Sequence, residues 1–229
     1  MSKVSYLVTC STETITVNNL LKLIRKNLGD DNIVILLDEA FANENNPTYN
    51  IVGAFHHDIG SRILTHPLNK DYGAHKNFGI EQCTGDWIFQ IDGDEYPPES
   101  LMGENLHVLI DSNPTIEAYA IPRINAWDGL TEEHAKQWGW GLDKSPTYGR
   151  LRAAWPDYQW RLFKNTPTIR FKNRLHERID GFNSYAVLPA EEEWALYHDK
   201  TIETQIKTNL RYNEWFTTEE NAGISNKRA

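Results

Sequence analysis

The chain has 229 residues, with 23 Lys and Arg against 32 Asp and Glu, a formal net charge of −9 and a pI near 5.4. Hydrophobic residues make up 40% and charged residues 24%, which excludes a wholly disordered chain and supplies a core that needs no disulfide or metal staple. Residues 33–37, the longest aliphatic run, fall far short of the roughly 20 that cross a bilayer. The two cysteines lack metal-ligand spacing and fit a reducing cytosol, and net acidity argues against a nonspecific nucleic-acid binder.

Residues 4–9 are a β-branched and aromatic run and read as a first strand rather than a signal peptide. Ser11 to Thr14 cap a helix whose apolar residues, Ile15 to Leu28, recur at helical spacing until Gly29-Asp30. Residues 33–37 form a buried parallel-type strand closed by Asp38-Glu39, and the Asn-rich stretch 43–50 reads as a loop. A weaker strand at 63–65, a helix over 74–83 ended by Gly85, and a clear strand at 86–91 follow. Strand, helix, strand, helix, strand predicts an α/β fold with a mostly parallel, doubly wound central sheet, whose ligands bind beyond the carboxyl ends of its strands. Beyond it, 117–125, 158–164, 169–172 and 185–188 read as strands and 201–216 as an amphipathic helix. The expected organisation is one domain, 1–216, with a ligand-binding half at 1–112, a smaller mixed half at 113–216, and a flexible tail at 217–229.

Asp92-Gly93-Asp94 stands directly after the strand at 86–91. Two carboxylates on one side of a tight turn suit a hard divalent cation, Mn²⁺ or Mg²⁺, whose remaining positions water or a substrate phosphate can fill. Gly93 would let the backbone approach a ligand closely. Lys76 and Asn77, on the preceding helix, are suitable donors to phosphate.

Lys76-Asn77-Phe78-Gly79, Gly85-Asp86-Trp87-Ile88, Asp92-Gly93-Asp94-Glu95, Pro156 to Phe163, Leu175-His176-Glu177 and Leu196-Tyr197-His198, taken in this order, resemble a family 2 glycosyltransferase of GT-A fold. The subgroup most similar is that of small bacterial lipopolysaccharide core glucosyltransferases, and the resemblance covers residues 4–212. It implies a metal-dependent, inverting transfer of a hexose or pentose from a nucleotide sugar, UDP-linked foremost, to a hydroxyl group of a lipopolysaccharide or other glycan. It further implies that Thr9, Ser11 and Glu13 lie along the donor nucleotide and that Asp38 or Glu39 holds base or ribose. Lys76 and Asn77 would approach the diphosphate, Asp92 and Asp94 would bind the metal, and His198 would complete its shell. Glu177 is implied as general base with Asp157 its competitor, and the family's usual paired acids are replaced here by His176-Glu177. A lipid-linked acceptor would place the chain at the inner face of a membrane.

The acceptor side is expected among Trp127, Trp138, Trp140, Arg161 and His176. Trp138-Gly139-Trp140-Gly141 reads as a lid or platform, because indoles can pack on a sugar ring. Residues 144–180 carry nine cations against three carboxylates, a cluster able to attract an anionic acceptor. That leaves a hydroxymethylated base in DNA, as used by phage enzymes, as an alternative acceptor. A noncatalytic nucleotide-sugar or glycan-binding module is the alternative from another class. A nucleotidyltransferase fits poorly, because residues 9–13 lack a glycine-rich, basic phosphate loop.

Overall fold

A computed structural model of the chain describes residues 1–59, 61–145 and 149–222. Its first half alternates as the apolar runs dictate: β1 (Val4–Cys10), α1 (Thr14–Asn27), β2 (Asn32–Asp38), α2 (Pro47–Ile59), β3 (Arg62–His66), α3 (Tyr72–Ile80) and β4 (Trp87–Asp92). Every residue of β1 is buried, which explains why its sequence is apolar throughout and not alternating. The second half contributes β5 (Glu95–Tyr96), α4 (Gly103–Asp111), β6 (Ala118–Ile121), β7 (Arg123–Ile124), α5 (Glu132–Trp138), β8 (Leu142–Lys144) and β9 (Leu151–Ala153). It ends with β10 (Gln159–Lys164), β11 (Arg170–Lys172), β12 (Arg178–Asp180), β13 (Tyr185–Val187), β14 (Leu196–His198), α6 (Ile202–Trp215) and α7 (Thr218–Ala222).

The central sheet has seven strands in the order β13-β6-β10-β4-β1-β2-β3. Only β10 runs against its neighbours; the other pairings are parallel. Leu20, Leu21 and Ile24 of α1 pack with Val4, Tyr6, Val8 and Phe89 on one face. Leu7, Leu36 and Ile88 cover the other with Ile80, Phe163 and Phe171. A second sheet, β5-β14-β7, stands at the carboxyl end of β4.

Three expectations are corrected. The Asn-rich stretch is not all loop: Asn46 Oδ1 accepts from Thr48 N at 3.1 Å and Pro47 occupies the first helical position, so the Asn cluster is the start signal of α2. The run 117–125 breaks at Pro122, which has no N–H to continue a ladder; β6 joins the central sheet and β7 the second one. Helix α3 starts at Tyr72, where Asp71 accepts from Ala74 N at 2.8 Å. In the expected tail, residues 218–222 are helical, and 223–229 lie outside the described residues.

Candidate active site

Asp92 ends β4 opposite Thr9 of β1, and both its carboxylate oxygens have partners. Oδ1 accepts from Thr9 Oγ1 at 2.7 Å and Gln90 Nε2 at 2.8 Å; Lys76 Nζ lies 2.8 Å away, and Arg161 donates to Oδ2. Burial alone would raise this carboxyl, but the Arg161 and Lys76 charges outweigh it and hold it well below the usual range. Arg161 is itself buried, donating to both oxygens of Glu95 at 3.0 and 2.7 Å and to Gln90 Oε1 at 2.7 Å. Both oxygens of Asp92, expected at the metal, thus have partners among the chain's own side chains, and Arg161, expected at the acceptor, is buried against Asp92, Glu95 and Gln90.

Lys76 Nζ also lies 2.6 Å from Glu177 Oε1. The loop bearing Glu177 is fastened to α3: Tyr72 N donates to Arg174 O at 2.9 Å, and Asn77 brackets Phe171 with Nδ2 to O at 2.9 Å and N to Oδ1 at 2.8 Å. Asn77 therefore clasps the Phe171 backbone with both ends of its amide. A Cβ on Gly73 would stand 2.4 Å from Asn173 O, so only glycine permits this contact. His176 adopts φ 53°, and its ring meets Tyr212 edge-on at 6.0 Å, which sets it against α6.

Asp94 lies apart from this network. Residues of β14 pair with β5, placing His198 opposite Glu95, and His198 Nε2 lies 3.0 Å from Asp94 Oδ2. His198 Nδ1 lies 2.7 Å from Asn125 Oδ1, and Asn125 Nδ2 donates to Asp157 Oδ2 at 2.9 Å. Asp157 also accepts from Arg123 NH2 at 2.7 Å and Gln159 Nε2 at 3.0 Å. Burial works against the Asp157 charge, but Arg123 and Asn125 keep its carboxyl below the usual range. Burial first, then Lys200, pushes the His198 imidazole down. Gly93 is needed for packing: its N donates to Thr9 O at 2.7 Å, and a Cβ would meet Val17 at 2.8 Å and Cys10 at 2.9 Å.

At the β1 end, Ser11 N, Ser11 Oγ and Thr12 N donate to the Glu13 carboxylate at 2.6, 2.9 and 2.9 Å. Burial and the Asp94 charge push Glu13 up, against the hydrogen bonds from Ser11. Asp38, opposite His66 on β3, accepts from Ala40 N and Leu68 N, each at 3.3 Å; Glu39 is exposed beside it. A cavity of about 620 Å³ is lined by Asp94 and His198 together with Leu23, Tyr96, Ile124 and Tyr197. Glu177 does not line it. Among the described residues no three His, Cys, Asp or Glu side chains converge as a ready metal cluster.

Residues 9–185 match the family model of glycosyl transferase family 2. The chain belongs to that family. A TPR repeat-containing protein of Synechococcus elongatus is 27% identical over 139 residues, which are 61% of this chain and 28% of that protein. The fold is that of S. aureus TarS 1–349 solved with UDP-GlcNAc, at TM-score 0.58 and 15% identity, covering 86% of this chain and 58% of that one. The longer TarS structure gives TM-score 0.55 and 14% identity, covering 91% and 38%. This family 2 chain thus spans about a quarter of the first relative and under two thirds of the second. The central sheet is that of the GT-A glycosyltransferases.

Three indoles expected at the acceptor side of this family 2 chain pack against one another. Trp127 is buried, meeting His198 edge-on at 5.8 Å and Trp140 at 5.1 Å, and Trp138 stacks on His134. With Leu130, Ala153 and Ile202 these indoles build a third small core. The expected lid, 138–141, begins at the last residue of α5, which Gly139 closes in the left-handed conformation. The basic surplus at 144–180 is partly spent internally: Arg152 pairs with Asp143 and Glu192, and Arg161 with Asp92 and Glu95. Gln90, Glu95, Arg123 and Asn125 were not singled out by sequence reasoning. Of these, only Gln90, a lone amide in an apolar strand, carries a local signal.

Proposed function

We propose that this chain moves a sugar from a nucleotide-sugar donor, UDP-linked foremost, to a hydroxyl group of a glycan or lipopolysaccharide, with a divalent cation and with inversion at the anomeric carbon. The observation that carries this reading is the meeting of Asp94 with His198 at 3.0 Å beyond β4 in a chain of glycosyl transferase family 2. The donor set fits a cation: a carboxylate oxygen and a ring nitrogen converge in a buried place where Glu13 adds further negative charge. Asp94 and His198 would hold Mn²⁺ or Mg²⁺, with donor phosphate and water as further ligands. A cation bound there would offset the charge developing on the departing nucleoside diphosphate. TarS, of like fold, was solved with UDP-GlcNAc, which supports a UDP-linked donor.

The chain's own groups complete the proposal. Thr9 and Ser11 border the donor crevice, and Asp38 at the β2 end accepts from base or ribose. Glu177 takes the proton of the acceptor hydroxyl as its oxygen bonds to the anomeric carbon and the bond to the diphosphate breaks. Its Oε1 is held by Lys76, which fixes the carboxylate's position. Asp157 is the weaker choice, because Arg123, Asn125 and Gln159 all donate to its oxygens. No helix among the described residues is long and apolar enough to cross a membrane, so a lipid-linked acceptor would be met at a membrane surface. The two buried free thiols suit a reducing compartment such as the cytoplasm.

The test is a metal-supplemented screen of hexose and pentose nucleotide sugars for hydrolysis, followed by transfer to glycan and hydroxymethylated-DNA acceptors. Transfer to glycan is expected. Transfer only to DNA would reassign the acceptor, and failure of every nucleotide sugar to bind the folded chain would remove the reading.

A further inference from the structure

Asn125 and Asp157 touch neither Asp94 nor the crevice at the end of β4, yet both are tied to His198. Asp157 is an acceptor-only group whose orientation is fixed from two sides, by Arg123 Nε and NH2 at 3.1 and 2.7 Å and by Gln159 at 3.0 Å. Because a carboxylate only accepts, the Asn125 atom 2.9 Å from it is the NH₂ group. The other end of that amide is then its oxygen, also an acceptor, and it lies 2.7 Å from His198 Nδ1. Nδ1 must carry the hydrogen. In the neutral ring the remaining nitrogen, Nε2, presents a lone pair beside Asp94 Oδ2 at 3.0 Å, two acceptors whose mutual repulsion a shared cation would relieve. Asn125 is 4% exposed and His198 7%, so water does not readily substitute for either hydrogen bond.

We infer that Asn125 and Asp157 are positioning residues that set the His198 tautomer, fixing Nδ1–H so that Nε2 is the nitrogen offered, with Asp94, to a divalent cation. This rests on the metal reading of the site given above and assigns that reading a further layer. A carboxylate three groups from the ion decides which ring nitrogen binds it. Residues that orient a ligating imidazole in this way change metal affinity by roughly 10- to 100-fold when removed.

The test uses the full chain. Long-range ¹H–¹⁵N NMR of ¹⁵N-histidine protein, with His198 assigned by comparison with His198→Ala, reads the tautomer directly and needs no further variant. Mn²⁺ affinity in the presence of UDP is read from the electron paramagnetic resonance of free Mn²⁺ for wild type, Asn125→Leu, Asp157→Asn and the Asn125→Leu/His198→Ala double variant. Expected are the Nδ1–H form in the wild type and Mn²⁺ binding weakened roughly 10- to 100-fold in both single variants. In the His198→Ala background, Asn125→Leu should add less than about twofold. Nε2–H in the wild type, unchanged Mn²⁺ affinity in Asp157→Asn, or an equal loss without His198 would each overturn the inference while leaving wild-type metal binding intact. A wild type that binds UDP but takes up no Mn²⁺ would instead overturn the metal reading and this inference with it.

Discussion

Lys76 Nζ lies 2.8 Å from Asp92 and 2.6 Å from Glu177, so one buried ammonium joins the carboxylate ending β4 to the carboxylate proposed as base. If Glu177 accepts the proton, Glu177→Gln keeps the shape and the contact with Lys76 but removes the base. The turnover rate should fall by at least roughly 100-fold with UDP affinity within a few-fold of wild type. Near-normal turnover would move the role elsewhere.

The same ammonium has a structural consequence. Lys76→Met leaves two carboxylates without their shared cation in a buried place, and removal of one partner of such a pair costs about 3 to 5 kcal/mol. Urea unfolding should register a loss of that order. A midpoint equal to wild type would mean that Asp92 and Glu177 are compensated by other groups.

Helix α3 and the Glu177 loop meet backbone to backbone at Gly73. A Cβ there would sit 2.4 Å from Asn173 O, so Gly73→Ala must push the loop outward, at about 1 to 3 kcal/mol. Turnover should fall more than donor KM rises, since the displaced segment leads to the base. A change in donor KM alone would contradict the proposed link.

His75 makes stability depend on pH. Its ring is buried, and burial first, then the neighbouring His66, lowers it from 6.5 to about 4. Between those values the unfolded chain holds a proton that the folded chain rejects. The stabilisation is therefore complete above about pH 6.5 and is lost as the pH falls towards 4, by about 3 kcal/mol in all. Between pH 7 and pH 5 the wild type should lose roughly 2 kcal/mol more than His75→Gln. Equal losses in urea unfolding at the two pH values would show that His75 is not the group responsible.

The sheet was legible because β1, β2 and β4 are continuous apolar runs closed by polar residues, and such runs have few alternative placements. Asp94 stood out in its Asp-Gly-Asp turn, but that His198 lies beside it was legible only through resemblance, since 104 residues separate them and β14 brings them together. Helix α2 was missed because asparagines suit both loops and helix starts. Pro122 was passed over, although it is the point at which the chain changes sheets. Arg161, Asn77 and Trp127 carry side chains able to bind phosphate or sugar, and the fold gives each a partner within the chain. Arg161 faces Glu95, Asn77 clasps Phe171, and Trp127 lies on His198. What a polar or aromatic side chain does here depends on long-range pairing, which local sequence does not encode.

The central claim, that Asp94 and His198 hold a divalent cation for a nucleotide-sugar donor, is tested most directly by calorimetric titration of UDP into wild type and Asp94→Asn with and without Mn²⁺. Tighter UDP binding with Mn²⁺ in the wild type, and no such gain in Asp94→Asn, is the predicted result. UDP affinity that ignores Mn²⁺ in the wild type, or responds equally in Asp94→Asn, would contradict it.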